Sequence, residues 1–161
     1  MRLRARRAEV ADAELLWRWA SDPETRRNAF NKAPIVYADH VAWLTKRLAS
    51  GETRIWVFTD GDEPVGQVRF DLAGEVAEID ISVAPERRGR GYGTAMLNEA
   101  VRRLRTEAHR ARPRATVLEH NLPSLRLFKA CGFTETGTVE RGDDRAILLE
   151  LAGRRPGDQG S

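Results

Sequence analysis

The segment from residue 79 to residue 104 constrains the fold most, because a strand pattern runs into a glycine-rich turn and then into a helix pattern. Residues 79–83, Ile-Asp-Ile-Ser-Val, alternate apolar and polar side chains, the period of a strand with one apolar face. Residues 88–93 read Arg-Gly-Arg-Gly-Tyr-Gly, and from Met96 to Leu104 apolar residues recur at the spacing of an amphipathic helix. These patterns predict a strand, a tight turn and a helix that packs on the sheet.

The turn has the composition of an anion-binding loop. Glycines let successive backbone N–H groups converge on one oxyanion, and the positive end of the following helix adds to the attraction. The spacing Gly89, Gly91, Gly93 does not fit the dinucleotide fingerprint, and the absence of Lys between Lys46 and Lys129 excludes a P-loop. We interpret the turn as a pyrophosphate cradle; the alternative is an ordinary glycine-rich helix cap.

Two motifs resemble those of the GNAT superfamily of acyltransferases. Arg88-x-x-Gly91-x-Gly93 resembles the Arg/Gln-x-x-Gly-x-Gly/Ala motif that holds the pyrophosphate of acetyl-CoA. Residues 121–133 resemble the family motif Asn-x-x-Ala/Ser-x-x-Leu-Tyr-x-x-x-Gly-Phe. The resemblance covers nearly the whole chain and implies an α/β (α+β) fold with a mixed, mostly antiparallel sheet of six to seven strands, splayed at its central strands and flanked by about four helices.

The remaining patterns place the other elements along one domain, residues 1–152, followed by a tail at 153–161 whose composition is typical of disorder. We predict strands at 3–6, 55–59, 65–71, 116–118, 134–139 and 145–151, helices starting at Asp12 and spanning 39–49, 94–108 and 121–132, and an ordered loop at 25–36.

The resemblance implies acetyl-CoA as the cofactor, with the Val83 amide donating to the thioester carbonyl. The residues implied in cofactor binding are Ile81, Ser82, Val83, Arg88, Gly89, Arg90, Gly91, Tyr92, Gly93, Thr94, Asn121, Ser124 and Phe128. Phe128 replaces the family tyrosine that often protonates the leaving thiolate. Either another group donates that proton, or CoA leaves as a thiolate; a thiol pKa of about 8.5, by analogy with cysteine, makes this feasible. Tyr37 and Tyr92 are weak substitutes.

Acetyl transfer to an amine requires a proton acceptor, because an ammonium group must become neutral before it attacks. Glu78 and Asp80 lie on the polar face of the central strand, and we rank Glu78 first as the general base, with Asp80 behind it. His40 is a third candidate, since its unperturbed pKa of about 6.5 suits proton transfer near neutrality. The alternative is that both carboxylates are simply solvated on an open sheet face.

A set of residues between Trp17 and Trp43 resembles the N-terminal half of bacterial N-acetyltransferases that modify nucleotide-linked 4-amino sugars, as in pseudaminic-acid synthesis. It consists of Trp17-Arg18-Trp19-x-x-Asp22-Pro23-x-x-Arg26, then Phe30-Asn31, Ile35, His40 and Trp43. The resemblance implies a substrate pocket that includes, besides His40, the residues Trp17, Arg26, Phe30, Asn31, Trp43 and Arg69. Acetylation of protein N-termini, notably those of ribosomal proteins, is a close alternative. A GNAT-like domain that binds acyl-CoA without catalysis is an alternative of a different class.

Composition narrows the partners. The 161 residues carry a net charge of +3, and their 27 basic and 24 acidic residues are interspersed, which disfavours a nucleic-acid partner. We find no apolar run of membrane-spanning length and no signal-peptide pattern at the N-terminus, so we expect a cytoplasmic protein without a membrane partner. The single Cys131 is expected to be a small buried residue. We expect a small-molecule amine as partner, no metal site, and a monomer or homodimer.

Overall fold

The computed structural model describes residues 1–152, so the predicted tail at 153–161 lies outside the described residues. Two 3-10 turns, Val10–Asp12 and Pro85–Arg87, accompany the helices and strands. In chain order the strands and α-helices are β1 (Leu3–Arg7), α1 (Ala13–Ser21), α2 (Pro23–Arg27), α3 (Tyr37–Ala49), β2 (Thr53–Asp60), β3 (Glu63–Ala73), β4 (Val76–Val83), α4 (Tyr92–Glu107), β5 (Arg112–Leu118), α5 (Leu122–Ala130), β6 (Thr134–Arg141) and β7 (Asp144–Glu150).

One seven-stranded sheet organises the described residues, in the order β1-β2-β3-β4-β5-β7-β6. Only β4 and β5 pair in parallel, whereas the other neighbours are antiparallel. This arrangement confirms the predicted mixed, mostly antiparallel sheet. Because α4 intervenes between β4 and β5, the parallel pair has the helical crossover that parallel strands require.

The described residues form five α-helices, where about four were expected. The additional helix is α2, whose last three residues fall within the loop predicted at 25–36. The Asp22 carboxylate accepts a hydrogen bond from the Thr25 backbone N–H at 3.2 Å and so caps α2. Pro23 occupies the first helical position, where its missing N–H costs nothing. The Asp-Pro pair that ends α1 therefore also starts α2.

Two apolar cores lie on opposite faces of the sheet. On one face, α4 and α5 pack against alternate residues of β2, including Trp56 and Phe58. On the other face, α1 and α3 pack against Ile55 and Val57. These four consecutive residues of β2 are 0–3% exposed, so this strand is buried on both faces. The helices α1 and α3 thereby cover the polar side of β4 only in part, which leaves room for a cavity.

The central strands separate towards one end of the sheet. Parallel pairing joins only residues 76–78 of β4 to residues 112–114 of β5, although β4 continues to Val83 and β5 to Leu118. We call the wedge between residues 79–83 and 115–118 the splay. It agrees with the predicted opening at the central strands.

Candidate functional site

Two different constraints, backbone conformation and close packing, require glycine at the three glycine positions of the turn. Gly89 and Gly91 adopt left-handed backbone conformations, with φ of +74° and +85°, which residues with a Cβ rarely adopt. Gly93 is helical, but a Cβ there would lie 3.3 Å from a methyl carbon of Leu127 and 3.6 Å from one of Val83. The first two glycines shape the turn, and the third lets α4 approach α5 and β4.

The turn presents a run of unpaired amide donors, which we call the cradle: the backbone N–H groups of residues 89–94. Helix α4 begins at Tyr92, two residues earlier than predicted, with Gly91 as its N-cap. The first backbone bond of the helix is donated by Ala95 to the Gly91 carbonyl, at 3.3 Å. Within residues 1–152, none of the six cradle amides has an acceptor. Converging donors at the positive end of a 16-residue helix fit a phosphate or pyrophosphate.

The side chains of the turn contribute less to anion binding than the sequence suggests. The Arg88 guanidinium donates to Asp22 at 2.8 Å and to Glu24 at 2.7 Å, so it ties the turn to α2. Burial raises the pKa of Asp22, but its hydrogen bonds from Arg88 and Thr25 outweigh that effect and lower it. Arg90 lies exposed in the turn. The cradle itself is therefore built from backbone.

Tyr92 is buried in the core rather than presented to a ligand. Its ring is 6% exposed, and its hydroxyl donates to the Asp60 carboxylate at 2.5 Å. This hydrogen bond raises the pKa of the tyrosine and lowers the pKa of the aspartate. The sequence placed Tyr92 in the cofactor site; the structure gives it a backbone N–H in the cradle and a side chain that anchors α4 to the β2–β3 hairpin.

The second motif, residues 121–133, also stabilises the fold. The Asn121 side chain accepts from the Ser124 backbone N–H at 3.3 Å and so caps α5. Phe128 is 3% exposed and packs edge-on against Phe133, with ring centroids 5.2 Å apart. The phenyl ring that stands in place of the family tyrosine thus lies in the core. Contacts of Asn121, Ser124 and Phe128 with a cofactor stay a prediction.

The backbone of β4 offers donors to the splay. Hydrogen-bonded and non-hydrogen-bonded pairs alternate along an antiparallel ladder. The Ala84 N–H donates to the Val65 carbonyl at 2.8 Å, so the adjacent pair, Val83 opposite Gly66, is of the non-bonded kind. The backbone groups of Val83 therefore point away from β3, into the splay, and by the same alternation so do those of Ile81. The intervening Ser82 directs its backbone groups to β3.

A cavity of about 340 Å³ lies between the sheet and the covering helices α1, α2 and α3. The residues that line it come from three helices, a loop and three strands: Leu16, Ala20, Thr25, Arg26, Ile35, Asp39, His40, Trp43, Ile55, Gln67, Arg69, Asp80 and Ser82. The Asp80 and Ser82 side chains of β4 face this cavity, while the backbone groups of Ile81 and Val83 face the splay. One strand therefore borders both candidate binding regions.

The two candidate carboxylates of β4 have different surroundings. Asp80 lines the cavity, and its Oδ2 accepts from Gln67 Nε2 at 2.9 Å and lies 3.8 Å from Arg69 Nη1. Glu78 is not among the lining residues. Arg114 Nε donates to its Oε2 at 2.9 Å, and the Thr116 hydroxyl donates to its other oxygen. β5 therefore engages Glu78, whereas Asp80 lies at the cavity; which of the two acts as the general base stays a prediction.

His40 is a buried histidine with an unpaired nitrogen. Its side chain lines the cavity, is 7% exposed, and lies against Trp43 with ring centroids 5.5 Å apart. Within the described residues, His40 Nε2 has no hydrogen-bond partner. Burial, followed by the charge of Arg69, lowers its pKa below the ordinary value of 6.5. The imidazole is therefore neutral near pH 7.

Two arginines line the cavity, and they differ in whether a carboxylate neutralises their charge. Arg69 Nε donates to Asp71 at 3.0 Å, and its guanidinium carbon lies 4.8 Å from the centre of the Trp43 ring. Arg26 instead donates to backbone carbonyls, those of Ala20 at 2.7 Å and Asn31 at 2.9 Å.

Three predicted substrate residues lie outside the cavity. Trp17 donates from its indole N–H to the Ile35 carbonyl at 2.8 Å, so it supports the wall from behind. Phe30 is 44% exposed, and the Arg141 guanidinium carbon lies 5.5 Å from the centre of its ring. The Asn31 side chain accepts from the Ala33 N–H at 3.0 Å and forms a local turn. Sequence reasoning assigned these residues to a pocket without knowing the path of the loop.

Sequence reasoning missed Gln67 and Gly66, neighbours on β3. The Gln67 side chain is 7% exposed and contacts both Asp80 and Ser82, with Nε2–O distances of 2.9 and 3.3 Å. A Cβ on Gly66 would lie 2.4 Å from the Ser82 carbonyl oxygen, so the site tolerates only glycine. Both roles depend on the β3–β4 register, for which the alternation within one strand gives no signal.

Residues 1–152 contain no helix that is both long and apolar enough to cross a membrane. The same residues contain no group of three or more His, Cys, Asp or Glu side chains arranged to hold a metal ion.

Comparisons with known proteins agree on one domain type. The family model described as Acetyltransferase (GNAT) domain matches residues 2–134. An uncharacterized N-acetyltransferase of Methanocaldococcus jannaschii is 34% identical over 106 residues, which are 61% of this chain and 45% of that protein. The chain spans about half the length of the curated relatives it matches.

Solved structures share the fold over nearly the full length. The spermidine N-acetyltransferase from Vibrio cholerae, in complex with CoA and spermine, superposes with a TM-score of 0.82 at 20% identity, covering 93% of this chain and 95% of that one. The ribosomal L7/L12 alpha-N-protein acetyltransferase in complex with CoA gives a TM-score of 0.82 at 11% identity, covering 95% of each chain.

Proposed function

Because the chain belongs to the GNAT acetyltransferase family, we propose that it transfers the acetyl group of acetyl-CoA to a primary amine bound in the cavity. The observation that carries this proposal is the juxtaposition at β4. The cradle follows the end of this strand, its backbone faces the splay, and its Asp80 side chain faces the cavity. A donor and an acceptor entering from opposite sides of the strand would meet beside residues 80–83.

Acetyl-CoA fits the residues present and supplies an acetyl group activated as a thioester. The six cradle amides lack acceptors and are suited to its pyrophosphate. The Val83 N–H points into the splay and is positioned to donate a hydrogen bond to the thioester oxygen. This hydrogen bond strengthens as negative charge develops on that oxygen. The Vibrio cholerae spermidine N-acetyltransferase and the ribosomal-protein acetyltransferase were both solved with CoA, which supports this assignment.

Asp80 is the proton acceptor in this proposal, in place of Glu78. It takes a proton from the incoming ammonium group, directly or through water, and Gln67 holds the carboxylate by a hydrogen bond of 2.9 Å. Formation of the carbon–nitrogen bond at the acetyl carbon would break the carbon–sulfur bond, and the nitrogen would then lose its second proton. Because the Phe128 ring cannot donate a proton, this second proton, passed through water, would neutralise the departing thiolate.

The acceptor is a small primary amine. A volume of about 340 Å³ is near the lower end of ligand pockets, which hold about 300–1,000 Å³. A nucleotide-linked amino sugar would place its sugar among Arg26, His40 and Trp43, but its nucleotide would have to extend beyond the cavity. Trp17, Phe30 and Asn31, which were expected to help shape the substrate pocket, do not line this space. Nucleotide sugars and N-terminal peptides are therefore compared with smaller amines in the same assay.

The test combines binding with turnover. We expect acetyl-CoA to bind in a calorimetric titration, and thiol release with an amine panel to identify the acceptor. Asp80→Asn should then lower kcat/KM roughly 10²- to 10⁴-fold, whereas Glu78→Gln should change it only a few-fold, with acetyl-CoA affinity kept in both. Turnover that survives Asp80→Asn and fails in Glu78→Gln would reverse the assignment. Tight binding of acetyl-CoA without turnover of any amine would favour an acyl-CoA sensor.

A further inference from the structure

Arg26 is a cation of the cavity wall that carboxylates leave unneutralised. Its Nε donates to the Ala20 carbonyl, and its Nη1 donates to the carbonyls of Asn31 and Ala33 at 2.9 and 3.4 Å. Three carbonyl oxygens fix the guanidinium plane without cancelling its charge. Within residues 1–152, no carboxylate lies within 4.0 Å of Arg26, and its Nη2 donates to no acceptor. Two N–H groups of a pre-oriented fork thus remain available.

The other arginine of the cavity does not share this property. Arg69 lies between two carboxylates, with Asp71 Oδ2 at 3.0 Å from its Nε and Asp80 Oδ2 at 3.8 Å from its Nη1. Its outer face is covered by Trp43. Because its charge is compensated, Arg69 shapes the floor and positions Asp80, and an anionic ligand group gains more by pairing with Arg26.

The cavity wall carries charges of both signs. The β4 strand contributes the Asp80 carboxylate, where the amine must lie for transfer, and α2 contributes the Arg26 guanidinium.

We propose that the acceptor is a compact primary amine that carries an anionic group, whose anion pairs with Arg26 while its amine faces Asp80. This inference rests on the proposed acetyl transfer and names the substrate class of the same site. Amino carboxylic acids and amino-sugar phosphates are both compact primary amines that carry an anionic group. The rates measured with each series distinguish these two classes. A polycationic amine would place a second positive charge in a cavity that already holds Arg26, where, among the described lining residues, only the Asp39 carboxylate, besides Asp80, offers a counter-charge.

The first experiment uses the wild-type protein alone. Initial rates are measured with amino carboxylic acids, their carboxamides and the matching decarboxylated amines, and in parallel with 2-aminoethylphosphonate and glucosamine 6-phosphate. We expect kcat/KM to fall at least tenfold when the anion is removed, mainly through KM, with one of the two anionic series preferred. Equal rates for an amino acid and its carboxamide, with equal rates for glucosamine and its phosphate, would overturn the inference.

The second experiment links the preference to Arg26. Arg26→Gln should abolish the discrimination between acid and carboxamide, and Arg26→Lys should restore part of it. Arg27→Gln is the matched control, because it removes the same charge from an exposed position of the same helix. Acetyl-CoA affinity and thermal unfolding report the integrity of each variant, and the wild-type comparison stands even where a variant is unstable.

The outcomes separate this inference from the function beneath it. Failure to bind acetyl-CoA, or turnover of none of the amines, contradicts the proposed function. Turnover that is indifferent to the anion contradicts the proposed substrate class, and a discrimination that persists in Arg26→Gln contradicts the role of Arg26; both leave the proposed function standing. A preference for polyamines over all anionic amines also contradicts the proposed substrate class. Discrimination lost in Arg26→Gln and kept in Arg27→Gln supports the proposal.

Discussion

Replacing Thr94 with proline removes one amide donor from the cradle with little disturbance of the helix. Thr94 is the third residue of α4, and its backbone N–H has no acceptor within the described residues. Proline is tolerated in the first turn because no intrahelical hydrogen bond is lost there. The preceding Gly93 lacks the Cβ that normally clashes with a proline ring. The Thr94 side chain is exposed, so its loss disturbs no core packing.

The magnitude follows from the bond that the cradle loses. A hydrogen bond from an amide to a charged group contributes about 1.5–3 kcal/mol. At about 1.4 kcal/mol per factor of ten, Thr94→Pro should weaken acetyl-CoA binding roughly 10- to 150-fold. A proline one residue later would instead remove the bond from Ala95 to the Gly91 carbonyl and destabilise the fold by about 3 kcal/mol.

The assay compares two ligands by calorimetric titration. CoA carries the pyrophosphate, whereas pantetheine lacks it, so only CoA should lose affinity in Thr94→Pro. Thr94→Ala, which keeps the N–H, is expected to lose far less. Equal loss for both ligands, or unchanged CoA affinity in a folded Thr94→Pro protein, would refute the assignment of these amides to the pyrophosphate.

Three further changes test the surroundings of the site. The lowered pKa of His40 means that the unfolded chain takes up its proton first as pH falls, so stability should drop below about pH 6.5; His40→Asn should flatten this dependence in urea titrations. Gly66→Ala should destabilise by about 1–3 kcal/mol, because its Cβ would lie 2.4 Å from the Ser82 carbonyl oxygen; an unchanged urea midpoint would contradict this. Arg88→Gln, which frees α2 from the turn, should raise KM for the acceptor more than Kd for acetyl-CoA; the reverse pattern would mean that Arg88 binds the pyrophosphate.

The strand, turn and helix around the cradle were predictable because their signals are local. The alternation of residues 79–83 gives the strand, and the glycines give the turn. The short helix α2 was missed although its signal is also local. Asp22 followed by Pro23 is an N-cap with proline at the first helical position, but the loop predicted at 25–36 covers most of the helix that this pair begins.

The choice between Glu78 and Asp80 could not be made from the sequence, because both share one face of β4. What distinguishes them is β5, a strand more than 30 residues away along the chain, whose Arg114 and Thr116 side chains bind Glu78. The pairing ends at Glu78, so Asp80 meets no such neighbours. The state of Arg26 is equally non-local, since the backbone carbonyls that orient it come from a loop without periodic signal.

The register of β4 links the two halves of the proposed site. Its odd-numbered residues direct their backbone groups to the splay and their side chains to the core under α4, whereas Asp80 and Ser82 direct their side chains to the cavity. A slip of one residue would put the carboxylate into the apolar core and an isoleucine into the cavity, and it would exchange the amides that face the splay. Core packing and catalytic geometry therefore select the same register. Gly66 belongs to this constraint, because β3 can approach Ser82 closely only where it lacks a side chain.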